Sequence, residues 1–107
     1  MENENWFVYI LLCIDGTLYT GITNDIKKRM LAHDKGKGAK YTKGRGPFKL
    51  IYKDNLNTLS LAMKEEIRIK KLKKIQKLKL ANKWGLIMEE NDLFNNVKRF
   101  LDNENTV

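Results

Sequence analysis

Cysteine, proline and histidine each occur once in this 107-residue sequence, as Cys13, Pro47 and His33. A lone cysteine excludes an internal disulfide, and no Cys/His cluster has the spacing of a zinc site. The longest apolar run, Trp6 to Ile14, falls well short of the about 20 residues that a membrane-spanning helix needs. Glu2 and Glu4 stand ahead of Trp6 where a secretory signal carries basic residues. No glycine pair precedes Lys-Ser/Thr at the spacing of a nucleotide-binding P-loop. There is no internal repeat and no low-complexity linker. These absences predict a cytoplasmic chain with no membrane partner and no obligate protein partner.

What is present is a hydrophobic fraction of 42%, enough to bury the core of one domain, and an uneven charge distribution. Residues 27–83 carry 19 Lys or Arg against four acids, a balance of +15. The flanks carry two basic residues against nine acids, a balance of −7. A basic middle attracts a polyanion by neutralising phosphates and releasing counterions. Taken alone, the charge fits equally well a solvated, lysine-rich surface.

The run from Trp6 to Ile14 is rich in β-branched and aromatic residues and reads as a buried strand. Asp15-Gly16 is a turn signal, and residues 17–23 read as a second strand. A two-residue turn would set Tyr9 and Tyr19 on opposite faces. A three-residue loop with Gly16 left-handed pairs Cys13 with Thr17, Leu11 with Tyr19 and Tyr9 with Gly21. The second register gathers Val8, Ile10, Leu12, Leu18 and Ile22 on one face and Tyr9, Thr17, Tyr19, Gly21 and Thr23 on the other. It segregates polarity better and is the register expected.

Asn24 is a suitable N-cap for a helix running to about His33, with Asp25 at its positive end and Arg29 and His33 sharing one side. Residues 35–47 hold four glycines and the proline and form a basic loop. Residues 48–54 read as a third strand. Thr58 or Ser60 then caps a helix through about Lys73, helical segments continue to Asn82, and Gly85 is a break. Residues 88–101 have the pattern of a last amphipathic helix.

Phosphodiester cleavage requires a group to activate water, a cation to stabilise the pentavalent transition state and a carboxylate to hold a divalent metal. Tyr9, Tyr19, Arg29, His33 and Glu66 supply those chemistries, although singly a strand tyrosine is more often core and a helix arginine more often solvated. Glu66 has Ala62, Met63 and Ile69 among its helix neighbours, so it faces a core or cleft, which favours a partner such as a metal. Glu65 has a similar neighbour set, and periodicity does not choose between the two.

The order Val8-Tyr9-Ile10, then Tyr19-Thr20-Gly21 ten residues on, resembles the paired elements that name the GIY-YIG nuclease family. The stretch from Gly21 to His33 is similar to the family's following helix with its arginine and histidine. Lys35 to Arg45, and Glu66 to Leu72, are similar to small stand-alone bacterial members. Val8 and Thr20 depart from the literal triplets, at backbone positions rather than reactive ones. The likeness covers about Trp6 to Asn82, so the domain is expected over 1–82 with a partly helical extension over 83–107.

That resemblance implies an α+β fold, a three-stranded antiparallel sheet flanked by helices, and a DNA endonuclease using one divalent metal, Mg²⁺ or Mn²⁺, to leave a 5′-phosphate. By position, Tyr9 would be the base or water positioner, with Tyr19 beside it. Arg29 would neutralise the scissile phosphate, His33 would assist or orient, Glu66 would hold the metal, and Asn82 would complete the site. A free phenol titrates near ~10, so a tyrosine base needs neighbours that lower that value or relay its proton. Lys37, Lys40, Lys43 and Arg45 of the glycine loop are expected on the DNA backbone, Tyr41 on a base, and Lys70 and Lys71 along the same track. A chain this small is expected to select DNA structure rather than sequence. The alternative is a nucleic-acid-binding module that keeps the fold and does not cleave.

Overall fold

The computed structural model describes residues 5–83. The expected helix over 88–101, the break at Gly85 and the side chain of Asn82 lie outside the described residues. Strand β1 (Phe7–Cys13) is central, with β2 (Leu18–Thr23) and β3 (Phe48–Asn55) antiparallel on either side. The helices of the described residues are α1 (Ile26–Asp34) between β2 and β3, then α2 (Leu59–Lys70) and α3 (Lys74–Lys83). The fold is α+β, as the sequence predicts.

The hairpin adopts the bulged register. Gly16 has φ 85°, and Cys13 N–H donates to the Thr17 carbonyl at 2.9 Å. Leu11 stands opposite Tyr19 and Tyr9 opposite Gly21. Polarity therefore splits across the sheet. Val8, Ile10, Leu12 and Leu18 are buried with Ala81 of α3 and Ile69 of α2, which lies against β1 and β2. Each fully buried side chain of this size contributes about 1.5–3 kcal/mol. On β3, a bulge opposite Ile10/Leu11 lets consecutive residues Ile51 and Tyr52 both join that core. The tyrosine face is left to α1 and the glycine loop.

Two helix boundaries differ from the sequence expectation. Asp25, not Asn24, is the N-cap of α1, its carboxylate accepting from Lys28 N–H at 3.0 Å. Thr23 Oγ1 accepts from Asp25 N–H at 3.1 Å, which holds Asp25 one residue past the strand in extended geometry. The second helix stops at Lys70 rather than Lys73. There Gln76 Oε1 accepts from Lys73 N–H at 2.9 Å, a side-chain cap that begins α3 without any glycine or proline. Thr58 caps α2, accepting from Leu61 N–H at 3.2 Å.

Candidate active site

Three side chains converge at the Tyr9 hydroxyl. Tyr9 leaves the centre of β1 on the face away from α2's apolar contacts, and the residue is fully buried. Its oxygen lies 2.8 Å from His33 Nε2, and Arg29 Nε donates to it at 3.4 Å. Arg29 and His33, one helical turn apart, thus reach the same atom from α1. The other imidazole nitrogen, Nδ1, lies 2.9 Å from Thr42 Oγ1, and that hydroxyl donates to the Ala39 carbonyl at 3.1 Å.

Tyr19 completes an aromatic cluster. Its ring is 6.3 Å from Tyr9 and 5.4 Å from His33, centroid to centroid. Two glycines make the packing possible. A Cβ on Gly21 would stand 2.6 Å from the Tyr9 oxygen and 2.9 Å from the Tyr19 ring, and a Cβ on Gly38 would enter the His33 ring. The final glycine of the Tyr19-Thr20-Gly21 element is therefore a matter of space beside the tyrosines, since nothing larger fits between them.

Burial sets the protonation of the cluster. It pushes the Tyr9 phenol up to about 12, against the opposing pull of the Arg29 hydrogen bond. Of the two routes open to a tyrosine base, a lowered phenol and a relay, desolvation excludes the first for this state and leaves the second. The His33 imidazole falls to about 4, first by burial and then by the nearby Arg29 charge. Arg29 is raised, chiefly by its bond to Tyr9. At neutral pH both Tyr9 and His33 are uncharged.

The two glutamates separate here. Glu65 is engaged by Arg68 through both oxygens, at 2.6 and 2.8 Å, and its charge acts on Tyr52 of the core. Glu66 has a longer ion pair, 3.4 Å to Lys70, and its charge acts on Tyr9. Glu66 is thus the helix carboxylate turned toward the cluster, and it retains coordinating capacity. Among the described residues no group of three or more His, Cys, Asp or Glu could cage a metal. A single, partly exposed carboxylate fits instead the way Mg²⁺ binds, through one or two carboxylates with waters and substrate phosphate filling the rest.

The glycine loop is anchored more tightly than its composition suggests. Tyr41 stacks on Tyr19, centroids 6.0 Å apart, and the Arg45 guanidinium lies 4.5 Å from the centre of the Tyr41 ring. Arg45 also donates to Asp15 of the hairpin turn at 2.6 Å. Lys37, Lys40 and Lys43 are exposed, as are Lys70 and Lys71 on and just beyond α2. Sequence reasoning does not find Thr42, Asp15 or Gly38 as parts of the site. Each acts through a contact distant in sequence or through a missing side chain, and no local pattern marks them.

No helix of the described residues is long and apolar enough to cross a membrane. The chain is 53% identical over 78 residues to UPF0213 protein OB0043 of Oceanobacillus iheyensis, covering 73% of this chain and 91% of that one. It is 51% identical over 85 residues to UPF0213 protein CPE1444 of Clostridium perfringens, covering 79% and 90%. The solution NMR structure of the protein EF2693 from E. faecalis matches with a TM-score of 0.55 at 35% identity, over 84% of this chain and 97% of that chain. The GIY-YIG catalytic domain matches residues 5–79, a span that takes in the hairpin, α1 and the part of α2 bearing Glu66. The chain belongs to the GIY-YIG family.

Proposed function

We propose that this protein is a divalent-metal-dependent DNA endonuclease, with residues 1–82 as its working domain and DNA structure as its selector. One observation carries the reading: Arg29 and His33 meet at the Tyr9 hydroxyl, with Tyr19 packed beside it and the Glu66 charge in range. Arg29 engages a non-bridging oxygen of the scissile phosphate. Its 3.4 Å bond to Tyr9 is the longest in the cluster, and a phosphate oxygen replaces it with a charge-assisted one. The turn of Arg29 opens the phenol to the attacking water.

Tyr9 then takes a proton from that water as it passes its own to His33 Nε2. The water oxygen bonds to phosphorus, the P–O3′ bond breaks, and the leaving oxygen takes a proton from solvent, leaving a 5′-phosphate. His33 later returns its proton to solvent. A relay of this kind needs no standing tyrosinate, which a phenol at about 12 would not supply. Tyr19 walls the pocket and orients the water. Glu66 holds Mg²⁺ or Mn²⁺, which when bound supplies Lewis-acid stabilisation of charge on the phosphoryl oxygens. Asn82 is the candidate to complete that site.

Lys37, Lys40 and Lys43 take backbone phosphates, with Lys70 and Lys71 extending the track. Tyr41 and Arg45 shape the loop that presents those lysines, and Tyr41 offers a ring at the cleft for a displaced base. A second reading, a binding module without cleavage, is favoured by one observation, the complete burial of Tyr9. Incubating wild type and Glu66→Gln with single-stranded, duplex and branched DNA in Mg²⁺ or Mn²⁺ separates the two. Cleavage by wild type on at least one substrate, lost in Glu66→Gln and on chelation, supports the enzyme. Equal faint nicking by both proteins on every substrate supports the binding module.

A further inference from the structure

The chain of hydrogen bonds through His33 has a direction, and Thr42 sets it. His33 is 1% exposed, and its ring nitrogens meet Tyr9 Oη at Nε2 and Thr42 Oγ1 at Nδ1. Thr42 is fully buried, and its hydroxyl lies 3.1 Å from the Ala39 carbonyl. A carbonyl oxygen only accepts, so the single hydroxyl proton of Thr42 is committed to Ala39. Toward the imidazole the Thr42 oxygen is left as an acceptor, and Nδ1 must carry the hydrogen. A neutral imidazole has one N–H, so Nε2 presents a lone pair to Tyr9. At the far end, Arg29 can only donate to Tyr9. Every donation then runs one way: Arg29 to Tyr9, Tyr9 to His33, His33 to Thr42, Thr42 to Ala39.

We infer that Thr42, oriented by the Ala39 carbonyl, is a positioning residue that fixes His33 as the Nδ1–H tautomer and so turns Nε2 into the acceptor for the Tyr9 proton. This rests on the relay reading of Tyr9 and His33 for its consequence in catalysis, though not for its geometry. Without the Thr42 hydroxyl, Nδ1–H loses its acceptor in a dry site. The tautomer with hydrogen on Nε2 then becomes the better one, because it donates to Tyr9. Tyr9 would receive from both Arg29 and His33, and its own proton would have no base to go to. The loop between α1 and β3 is shaped around the imidazole. Gly38 leaves room for the ring, and Ala39 and Thr42 close a turn over Nδ1. The same loop carries Lys37, Lys40 and Lys43, so the segment read as the DNA grip also holds the imidazole in its working form.

His33 is the sequence's single histidine, which makes the test direct. In the full-length ¹⁵N-labelled protein at neutral pH, long-range ¹H–¹⁵N correlation distinguishes a protonated ring nitrogen from one with a lone pair. Wild type should show a protonated Nδ1 and a bare Nε2. Thr42→Val, which keeps the shape and removes the hydroxyl, should reverse or mix the two, and Thr42→Ser should restore the wild-type pattern. Cleavage should fall about tenfold or more in Thr42→Val and recover in Thr42→Ser. A protonated Nε2 in wild type overturns the inference even if Thr42→Val does not fold. So does a folded Thr42→Val with unchanged imidazole signals. A reversed tautomer with undiminished cleavage upholds Thr42's hold on His33 and removes His33 from the reaction, which sinks the relay reading instead.

Discussion

The Tyr9 hydroxyl and the His33 Nε2 atom stand 2.8 Å apart, joining the central strand to α1 across 24 positions of sequence. Both residues are buried. A buried hydroxyl or imidazole is costly without a partner, and here each satisfies the other. Desolvation moves the two groups in opposite directions, the acid up to about 12 and the base down to about 4, because in both it disfavours the charged form. The result is a pair that shares a proton with no net charge at rest, and the cation that touches it is Arg29.

Acid should destabilise the fold through His33. Its folded value near 4 lies below the ordinary 6.5, so the unfolded chain binds the extra proton first. The stabilising contribution is fully present above about pH 6.5 and is lost as pH falls toward 4, amounting to about 3 kcal/mol over that window. Urea denaturation at intervals from pH 7 to pH 4 should show this decline. In His33→Gln the slope should flatten, whatever the absolute stability. Parallel curves for the two proteins would mean that His33 titrates normally in the fold.

Thr20 is the residue at which the Tyr19-Thr20-Gly21 element departs from the literal triplet. Among the described residues its fully buried hydroxyl has no hydrogen-bond partner, and it stands opposite Ile10 of the apolar core. Thr20→Val removes the orphaned hydroxyl at nearly constant shape. It should stabilise the protein by about 1 kcal/mol. Thermal or urea unfolding measures this directly, and a loss of stability would show that the hydroxyl is satisfied after all.

DNA affinity should fall steeply with salt, and the exposed lysines of the glycine loop should set much of the slope. Replacing Lys37, Lys40 and Lys43 together by glutamine should weaken binding on all sequences alike. It should flatten log K against log salt by about 0.9 for each phosphate no longer neutralised. Arg45→Gln should behave differently, loosening the loop from Asp15 and Tyr41 rather than freeing one phosphate. Fluorescence anisotropy across a salt series checks both. An unchanged slope in the triple variant would remove the loop from the interface.

The hairpin register is legible in the sequence because only one turn geometry puts Tyr9, Thr17, Tyr19 and Thr23 on a single face. The meeting of Arg29 and His33 is legible because i, i+4 spacing on a helix is a rigid rule. Glu65 and Glu66 are not resolved by sequence, since both have apolar helix neighbours. The choice depends on Arg68 closing over Glu65 in three dimensions. The stop after Lys70 is hidden because a glutamine side chain, rather than a glycine or proline, supplies the cap. Thr42 is hidden for a related reason: its partner is nine positions away, and a threonine in a glycine-rich loop looks like any turn residue. Tyr41 and Arg45 read as free DNA contacts, yet Tyr19 and Asp15 already engage them.

The proton relay stands or falls on Tyr9→Phe, which removes one oxygen atom from a buried ring and leaves the packing on Gly21 and Tyr19 in place. The cost to stability should be about 1–3 kcal/mol, from the His33 nitrogen left without its donor. With folding verified, DNA affinity should stay near that of wild type while cleavage of the preferred substrate falls about 100-fold or more. A folded Tyr9→Phe that cleaves at the wild-type rate would contradict the relay and reduce the Tyr9–His33 pair to a structural tie between β1 and α1.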